Sequence, residues 1–266
     1  MAFLPRDMPR SFRFFYFGYQ CLHNVYLLAR IKTIAWKESV TLHLHDVSVD
    51  DSACEEYAIF SPTMLIVNDR YRWQGPFSNE EVLAMLYDED FAPRQSRANI
   101  GGKVVKGDLV PITPDSVLST CEPCLRSCDT GICRGKAEWV KEMLEDINAD
   151  HLGFLHMVDG GCVGGAEYLP STKVPYPIPN KRDKNAFLTC SFASDDEHDY
   201  RTHPLNALVE HLRESGYDTL SVASSDELTF PNGPSKWFLE KGFVGCGILA
   251  SEQLPRSEIQ LLQLRL

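Results

Sequence analysis

Residues 237–243 read WFLEKGF and follow a PNGP turn. The pattern predicts a short helix over 235–241 that ends at Gly242, because glycine readily takes the left-handed conformation in which many helices end. The residues after this glycine predict two final strands, over 243–249 and 259–264. This helix–glycine–strand succession is the most specific local pattern in the second half of the chain.

Upstream of that stretch, strand and helix patterns alternate back to about residue 104. Asp159-Gly160 between two apolar runs predicts a hairpin, and Gly216 ends an amphipathic helix. Thr113-Pro114 predicts another helix start, because proline is tolerated in the first turn. The predicted strands cover 104–112, 153–158, 162–168, 186–193 and 219–223, and the predicted helices cover 137–147 and 203–214.

The succession of these elements resembles the GNAT superfamily of N-acetyltransferases over most of residues 104–266. The resemblance rests on 237–243, which is similar to the family's F-Y-E-K-x-G-F ending, and on the strand–helix pair at 186–214. It implies a mixed-sheet acyltransferase domain that transfers an acetyl group from acetyl-CoA to an amine of a small molecule or peptide. Tyr176 and Lys173, in or beside a proline-rich loop, would select a small acidic or peptidic amine.

The resemblance also implies which residues hold acetyl-CoA. The strand 188–192 would pair with the pantetheine arm, and 200–206 would bind the diphosphate at a helix N-terminus. An asparagine before the last helix would face the cofactor. The implied cofactor-binding residues are Leu188, Thr189, Cys190, Ser191, Phe192, Arg201, Thr202, His203, Leu205, Asn206 and Asn232.

Catalytic groups are predicted close to that strand. Glu167 stands where a general base could deprotonate the amine, and the alternative is an ordinary exposed strand residue. The tyrosine that often protonates the departing thiolate in this superfamily aligns with Phe238. Tyr200, Cys190 or Tyr168 would therefore have to donate that proton.

The predicted diphosphate loop departs from the family pattern and supports a second hypothesis. The pattern R/Q-x-x-G-x-G/A is replaced at 201–207 by RTHPLNA, which has no glycine, and Pro204 has no amide N–H to donate. The alternative is a non-catalytic ligand- or metal-binding protein, or a sensor, built on a degenerate acetyltransferase domain. The two hypotheses differ in whether the chain still binds acetyl-CoA.

The N-terminal part of the chain predicts a different unit. Its order is strand, helix, strand, helix, hairpin and helix, and Ser78 with Glu81 predicts a capping box at the last helix. With Pro62-Thr63 at the start of the third strand, this order resembles the thioredoxin fold, in which that proline is cis and faces the active site. The predicted elements cover 12–19, 20–37, 40–47, 50–60, 64–67, 71–73 and a final helix through residue 87.

The thioredoxin-like unit lacks the family's Cys-x-x-Cys pair. The matching stretch at 18–21 reads GYQC, so only Cys21 remains and dithiol exchange at this position is excluded. Near a helix N-terminus, Cys21 has either a depressed pKa or the role of a buried structural thiol.

The two units define the predicted domain organisation. A polar, aperiodic stretch at 93–102 connects them, which gives a thioredoxin-like domain over 1–97, a linker over 98–103 and a GNAT-like domain over 104–266. The fold class is thus α+β or α/β. The pairing of the two domains resembles a bacterial subgroup called YoaP-like.

A cysteine cluster at 121–133 is the most unusual composition in the chain. Four thiolates this close can hold zinc, or an iron–sulfur cluster, and a structural zinc site is the favoured form. The alternatives are reduced thiols on a helix or a disulfide. The candidate ligands are Cys121, Cys124, Cys128 and Cys133.

Composition excludes several function classes. The 266 residues carry 26 Lys+Arg and 37 Asp+Glu, a formal net charge of −11, which argues against sequence-independent nucleic-acid binding. No apolar run reaches the ~18–20 residues of a membrane span. The N-terminus lacks the apolar core of a secretory signal, so we predict a cytoplasmic protein without a membrane or nucleic-acid partner.

Overall fold

A computed structural model describes residues 10–90, 102–125, 130–195, 197–226, 228–253 and 256–266, without the side chains of Cys121, Glu122 and Thr130. Residues 98–101 of the predicted linker over 98–103 lie outside these ranges. Two sheets organise the described part, and we call residues 10–90 the N-terminal unit and residues 102–266 the C-terminal unit. No helix in these ranges is both long and apolar enough to cross a bilayer.

The N-terminal unit is a four-stranded sheet with helices. Its order is β2-β1-β3-β4, with β2 parallel to β1 and the other neighbours antiparallel. The capping box predicted at Ser78 and Glu81 is present. The elements are β1 (Ser11–Tyr16), α1 (His23–Glu38), β2 (Thr41–Asp46), α2 (Ser52–Glu56), β3 (Thr63–Val67), β4 (Tyr71–Gln74) and α3 (Asn79–Tyr87).

The peptide bond before Pro62 differs from what the resemblance implied. The cis bonds in the described residues are Phe230–Pro231 and Gly233–Pro234, so the Ser61–Pro62 bond is trans. Trans is the favoured state of such a bond unless its surroundings select cis. Here the Pro62 carbonyl accepts a hydrogen bond of 2.9 Å from the Phe17 amide, which ties it to the end of β1.

The C-terminal unit is built on a seven-stranded sheet of order β6-β7-β8-β9-β11-β13-β12. Only the pair β9 and β11 is parallel among these neighbours. The elements are β5 (Lys103–Val104), β6 (Asp108–Pro111), α4 (Cys121–Leu125), α5 (Thr130–Ile147), β7 (Gly153–Val158), β8 (Gly161–Pro170), β9 (Asn185–Ala193), β10 (His198–Asp199), α6 (Thr202–Glu214), β11 (Thr219–Ser225), α7 (Ser235–Glu240), β12 (Val244–Gln253) and β13 (Arg256–Arg265).

Two predicted elements of this unit take a different form. The strand expected over 104–112 is split, because β5 pairs with β10 whereas β6 pairs with β7. The helix expected after Thr113-Pro114 is a short 3-10 helix at Ser116–Thr120. The Thr113 amide donates to the Ser116 hydroxyl at 2.8 Å, which closes a tight turn there.

The two units share one hydrophobic core. One face of the N-terminal sheet contributes Phe15 and Phe17 to a buried cluster that also contains Trp139 of α5 and Tyr176 of the proline-rich loop. The Phe17 ring lies edge-on to Trp139 and Tyr176, with ring centroids 6.0 and 6.1 Å apart. The opposite face of that sheet packs on α1 and α3, and α6 and α7 cover the other face of the large sheet.

A buried carboxylate also joins the two units. Glu252 of β12 accepts hydrogen bonds from Arg72 at 2.9 and 3.1 Å and from Gln74 at 2.7 Å, both on β4. The Glu252 side chain is 5% exposed. Because a buried charge is stable only when it is paired, these contacts fix the orientation of one unit against the other.

Candidate active site

The parallel strands β9 and β11 separate part-way along their length. They pair only from Asn185 to Phe187 on β9 and from Thr219 to Ser221 on β11. Beyond that point β9 continues to Ala193 along β8, so its far edge is not paired with β11. The carboxyl ends of parallel strands are where open sheets bind ligands, so this opening is the first candidate for a site.

A β-bulge bends β9 at the opening. Glu167 pairs with Cys190 whereas Tyr168 pairs with Leu188, which leaves Thr189 as the extra residue. The Thr189 hydroxyl donates to the Glu167 carboxylate at 2.8 Å, and a contact of 3.1 Å joins it to the Glu167 carbonyl. A β-bulge bends its strand and changes the direction of nearby side chains, and bulges are frequent next to functional sites.

A cavity of about 210 Å³ lies beside this opening, along residues 189–193 of β9 and the segment 229–233 that follows β11. One wall is β9 and the loop before α7, and the opposite wall comes from the N-terminal unit and α4. The mouth carries acidic and histidine side chains. The lining residues are Gln20, Cys21, His23, Pro62, Pro123, Cys124, 189–193, Asp195, His198, Asp199, Arg201 and 229–233.

A buried ion pair lies behind the β9 wall. The Lys136 ammonium is 2.6 Å from one Glu167 oxygen, and each side chain is 5% exposed. Gln20 donates to the other Glu167 oxygen at 2.8 Å, and Lys136 donates to the Gln20 carbonyl at 2.5 Å. The Lys136 ammonium also lies 4.2 Å from the centre of the Trp139 ring. Both charges are thus paired within the chain.

The position of Glu167 does not match its predicted role as general base. A base must reach the proton that it removes, directly or through one water. Glu167 is not among the cavity-lining residues, and both of its carboxylate oxygens accept hydrogen bonds from buried neighbours. It is also not the exposed strand residue of the alternative, since only 4% of it is exposed. Glu167 is thus a buried, paired carboxylate behind the cavity wall.

Asn232 spans the opening beside β9. The Ser191 amide donates to the Asn232 side-chain oxygen at 3.0 Å, and the Asn232 side-chain nitrogen is 3.5 Å from the Leu188 carbonyl. The primary amide of Asn232 therefore uses one donor and one acceptor of the β9 backbone. These are the groups that a strand or an extended amide-bearing ligand would use.

Arg201 faces inward. Its guanidinium donates to the Ser191 hydroxyl at 3.0 Å, to the Gly233 carbonyl at 2.8 Å and to the Asn232 carbonyl at 3.3 Å. It also lies 4.1 Å from the centre of the Trp237 ring. Burial lowers the pKa of Arg201 to about 10. The side chain holds the loop before α7 in place rather than pointing towards a diphosphate.

Asp199 caps the N-terminus of α6. One oxygen accepts the Arg201 and Thr202 amides at 3.1 and 2.9 Å, and the other accepts the Thr202 hydroxyl and, at 3.4 Å, the Trp237 indole N–H. The Lys241 ammonium is 3.5 Å away. Burial raises the pKa of Asp199, but the hydrogen bonds from Thr202 outweigh it, so the pKa is lowered overall.

The remaining predicted cofactor residues divide into two groups. Thr189, Cys190, Ser191 and Phe192 line the cavity with Arg201 and Asn232. The others lie elsewhere: Leu188 and Leu205 are in the core, Thr202 bonds Asp199, Asn206 is exposed, and His203 reaches the Gly107 carbonyl at 3.1 Å. The α6 residues are not at the cavity because the helix runs behind the sheet.

The predicted proton donors are poorly suited to that role. Burial raises the pKa of the Cys190 thiol well above its usual value, although Cys190 lines the cavity. Tyr200 is buried against His198, with ring centroids 5.3 Å apart, and burial raises its pKa. Tyr168 lies in the core and burial also raises its pKa. Neither tyrosine lines the cavity.

The acceptor loop is also placed differently from the prediction. Tyr176 is 2% exposed and packs in the shared core, 5.6 Å from the Phe187 ring. Lys173 forms an ion pair of 2.7 Å with Asp146 of α5. Neither residue lines the cavity, because the loop packs between the two units instead of covering the opening.

The four-cysteine metal site is not supported in the described residues. Cys133 is in a disulfide, and a disulfide sulfur is not a thiolate ligand. Cys124 is a free thiol that lines the cavity. Cys128 and the side chain of Cys121 lie outside the described residues, and within those residues no group of three or more metal-ligating side chains is placed to hold a metal ion.

The rate at which each free thiol is alkylated tests the burial of these cysteines directly. Burial raises the pKa of Cys21 to about 11, contrary to the depressed value considered above, and raises that of Cys54 to about 12. A raised pKa leaves little thiolate at pH 8, and the thiolate is the nucleophile. Cys246 is exposed. We expect iodoacetamide at pH 8 to label Cys246 first and Cys190 much later, as measured by peptide mass spectrometry.

Labelling of the protein in concentrated urea is the control, since all free thiols should then react at similar rates. Labelling of folded Cys190 as fast as Cys246 would contradict the described burial.

Sequence inspection missed several residues of this site. Gln20 and Lys136 reach Glu167 from segments that are 147 and 31 residues away along the chain. Asp195 and His198 line the mouth, with 3.4 Å between the Asp195 carboxylate and His198 Nδ1. The i, i+3 spacing of that pair was a usable signal, whereas nothing in the local sequence indicates the Lys136–Glu167 pair.

Comparison with known proteins gives matches only among solved structures. No protein-family model matches the chain, and no curated protein sequence matches it significantly. A ribosomal-protein-alanine N-acetyltransferase from Brucella melitensis has 17% identity and a TM-score of 0.42, with 60% of this chain and 99% of that chain covered.

Two further solved structures match to a similar extent. An N-acetyltransferase from Staphylococcus aureus Mu50 has 12% identity and a TM-score of 0.43, with 60% of this chain and 99% of that one covered. An aminoglycoside 6′-N-acetyltransferase in complex with coenzyme A has 12% identity and a TM-score of 0.41, with 59% and 96% covered. At these identities and TM-scores the matches establish no activity for this chain.

Proposed function

We propose that the chain is an N-acyltransferase of the GNAT type that binds an acetyl thioester between β9 and β11 and transfers the acetyl group to an amine. The observation that carries this proposal is the separation of β9 and β11, the one parallel strand pair of the seven-stranded sheet, beside a cavity bordered by the edge of β9. The order of elements along the chain supports it, since β6 to β13 and the helices between them follow the succession that the resemblance implied.

The N-terminal unit is assigned the acceptor side of the cavity. Its strand order, with β1 and β2 parallel and β3 antiparallel, supports a thioredoxin-like fold. It contributes Gln20, Cys21, His23 and Pro62 to the wall opposite β9. A redox-inactive thioredoxin-like unit would thus shape the amine site of the transferase.

The proposed reaction is direct transfer. The amine nitrogen attacks the thioester carbonyl carbon, the C–N bond forms, the C–S bond breaks and the thiolate leaves. The proton of the attacking amine passes to water at the mouth, where Asp195 and His198 lie. Backbone N–H groups of the bulged β9 segment are the candidates to polarise the carbonyl oxygen, because such donors stabilise the charge that develops there.

Calorimetric titration of acetyl-CoA and of acetyl-pantetheine tests the proposal. We expect at least one to bind with Kd below about 100 μM, equivalent to about 5.5 kcal/mol. An amine panel with a thiol-detecting reagent should then show acceptor-dependent thiol release. Absence of binding by both thioesters up to about 1 mM would overturn the proposal, and adenosine diphosphate is the control for binding through the nucleotide alone.

A second candidate function is a non-catalytic binding protein on the same scaffold. The Asp199 cap favours it, because a carboxylate occupies the helix N-terminus where a diphosphate would be neutralised. Thioester binding without thiol release across the amine panel would favour this candidate over the transferase.

A further inference from the structure

The connection between β9 and α6 is acidic, and its aspartate side chains accept hydrogen bonds from nearby backbone amides. Its sequence at 195–199 is DDEHD. The Glu197 and His198 amides donate to Asp195 at 2.9 and 3.1 Å, and the Arg201 and Thr202 amides donate to Asp199 at 3.1 and 2.9 Å. Four backbone donors are therefore bound by two carboxylates of the chain.

Backbone amides at a helix start are the groups that bind a diphosphate in other proteins. Here a diphosphate would have to displace Asp199, and it would lie next to the negative charges of Asp195 and Glu197. Pro204, in the first turn of α6, has no N–H to contribute. Arg201 is half-buried and bonded to the Ser191, Asn232 and Gly233 oxygens. The connection thus opposes the phosphates of coenzyme A.

The inner part of the same opening presents uncharged backbone groups of β9 instead of carboxylates. The Ser191 N–H and the Leu188 carbonyl face one another across the Asn232 side chain, which bonds the former and lies within 3.5 Å of the latter. A secondary amide carries one donor and one acceptor, so it can replace the Asn232 amide at these two groups. The pantetheine arm has two such amides.

We propose that this chain recognises its thioester donor by the acyl-pantetheine arm and gains no net affinity from the nucleotide phosphates. The inference rests on the function proposed above. The substrate class is an acyl-pantetheine thioester, and the arm is the recognised part whether it is carried by pantetheine, by 4′-phosphopantetheine or by coenzyme A.

The test compares the three carriers by calorimetry at low ionic strength, where charge effects are least screened. We expect the Kd values of acetyl-pantetheine, acetyl-4′-phosphopantetheine and acetyl-CoA to agree within about tenfold, or about 1.4 kcal/mol. Tighter binding of acetyl-CoA than of acetyl-pantetheine by more than tenfold overturns this inference and leaves the transferase proposal standing. Failure of all three to bind overturns both.

Charge removal at the connection sharpens the test. Asp199→Asn keeps a side-chain oxygen for the α6 cap, since asparagine caps helices about as well as aspartate. Because Asp199 lines the cavity, the readout is the ratio of the two affinities: we expect Asp199→Asn to increase the affinity for acetyl-CoA at least about threefold relative to that for acetyl-pantetheine, measured on the same variant. Glu210→Gln, on the exposed face of the same helix beside Arg213, is the matched control and should change neither. An unchanged ratio of these two affinities in Asp199→Asn would mean that Asp199 does not repel the phosphates of coenzyme A.

Discussion

Substitution of Lys136 by methionine is expected to lower the free energy of unfolding by about 3–5 kcal/mol. The change removes the ammonium but keeps most of the apolar length of the side chain. It leaves Glu167, whose side chain is 5% exposed, as a buried charge that retains hydrogen bonds from Gln20 and Thr189 but no counter-charge. Urea unfolding followed by tryptophan fluorescence measures the loss, because Trp139 lies against this pair.

Two further variants separate the ion pair from other effects. Lys141→Met makes the same substitution at an exposed position on α5 and should change stability by less than about 0.5 kcal/mol. Lys136→Met with Glu167→Gln removes both charges and should recover part of the loss, since a buried pair often contributes little beyond mutual neutralisation. A loss below 1 kcal/mol in Lys136→Met would mean that water reaches Glu167.

Gly233→Ala is expected to destabilise the protein by about 3 kcal/mol and to weaken thioester binding at least about tenfold. An added Cβ at Gly233 would lie 1.7 Å from the Leu228 carbonyl oxygen and 3.1 Å from that of Ser225. Both neighbours are backbone atoms, so the loop itself has to move. This loop carries Asn232 and accepts the Arg201 guanidinium at Gly233, and its displacement therefore changes the cavity wall.

Gly245→Ala is the matched control for that change. Gly245 lies on β12 at an ordinary backbone angle, and an added Cβ there has no neighbour within 4 Å among the described residues. We expect it to unfold like the unsubstituted chain in urea and to bind the thioester with unchanged affinity in calorimetry. Normal stability of Gly233→Ala would mean that the 228–233 turn accommodates a side chain.

Local sequence patterns predicted the secondary structure well. The Ser78–Glu81 capping box is present as expected, and Asp159-Gly160 joins β7 to β8 with both residues at positive φ. Gly242, at φ +90°, follows α7 as the WFLEKGF stretch indicates. These features depend on residues within a few positions of each other, so the local sequence is sufficient to predict them.

The site was only partly predictable because its contacts are distant in sequence. Of the strand residues predicted to hold the cofactor, 189–192 line the cavity and Leu188 does not; the strand–helix pair at 186–214 was the local signal for them. The inward orientation of Arg201 depends on the Trp237 ring and the Gly233 carbonyl, which come from another segment. Likewise, Glu167 has the sequence context of an accessible strand carboxylate, and only the packing of α5 brings Lys136 to it.

The common core of the two units has a consequence for how this chain can change over evolution. Phe15 and Phe17 of the N-terminal unit are covered by α5 and the proline-rich loop, so separating the two units would expose them to water at a cost of about 1.5–3 kcal/mol each. Neither the N-terminal unit nor the C-terminal unit can then be replaced by the corresponding unit of a homologue without changes in the other. A substitution that changes the size of a side chain in this shared core has to be matched by a change in the other unit. The two units are therefore expected to diverge together.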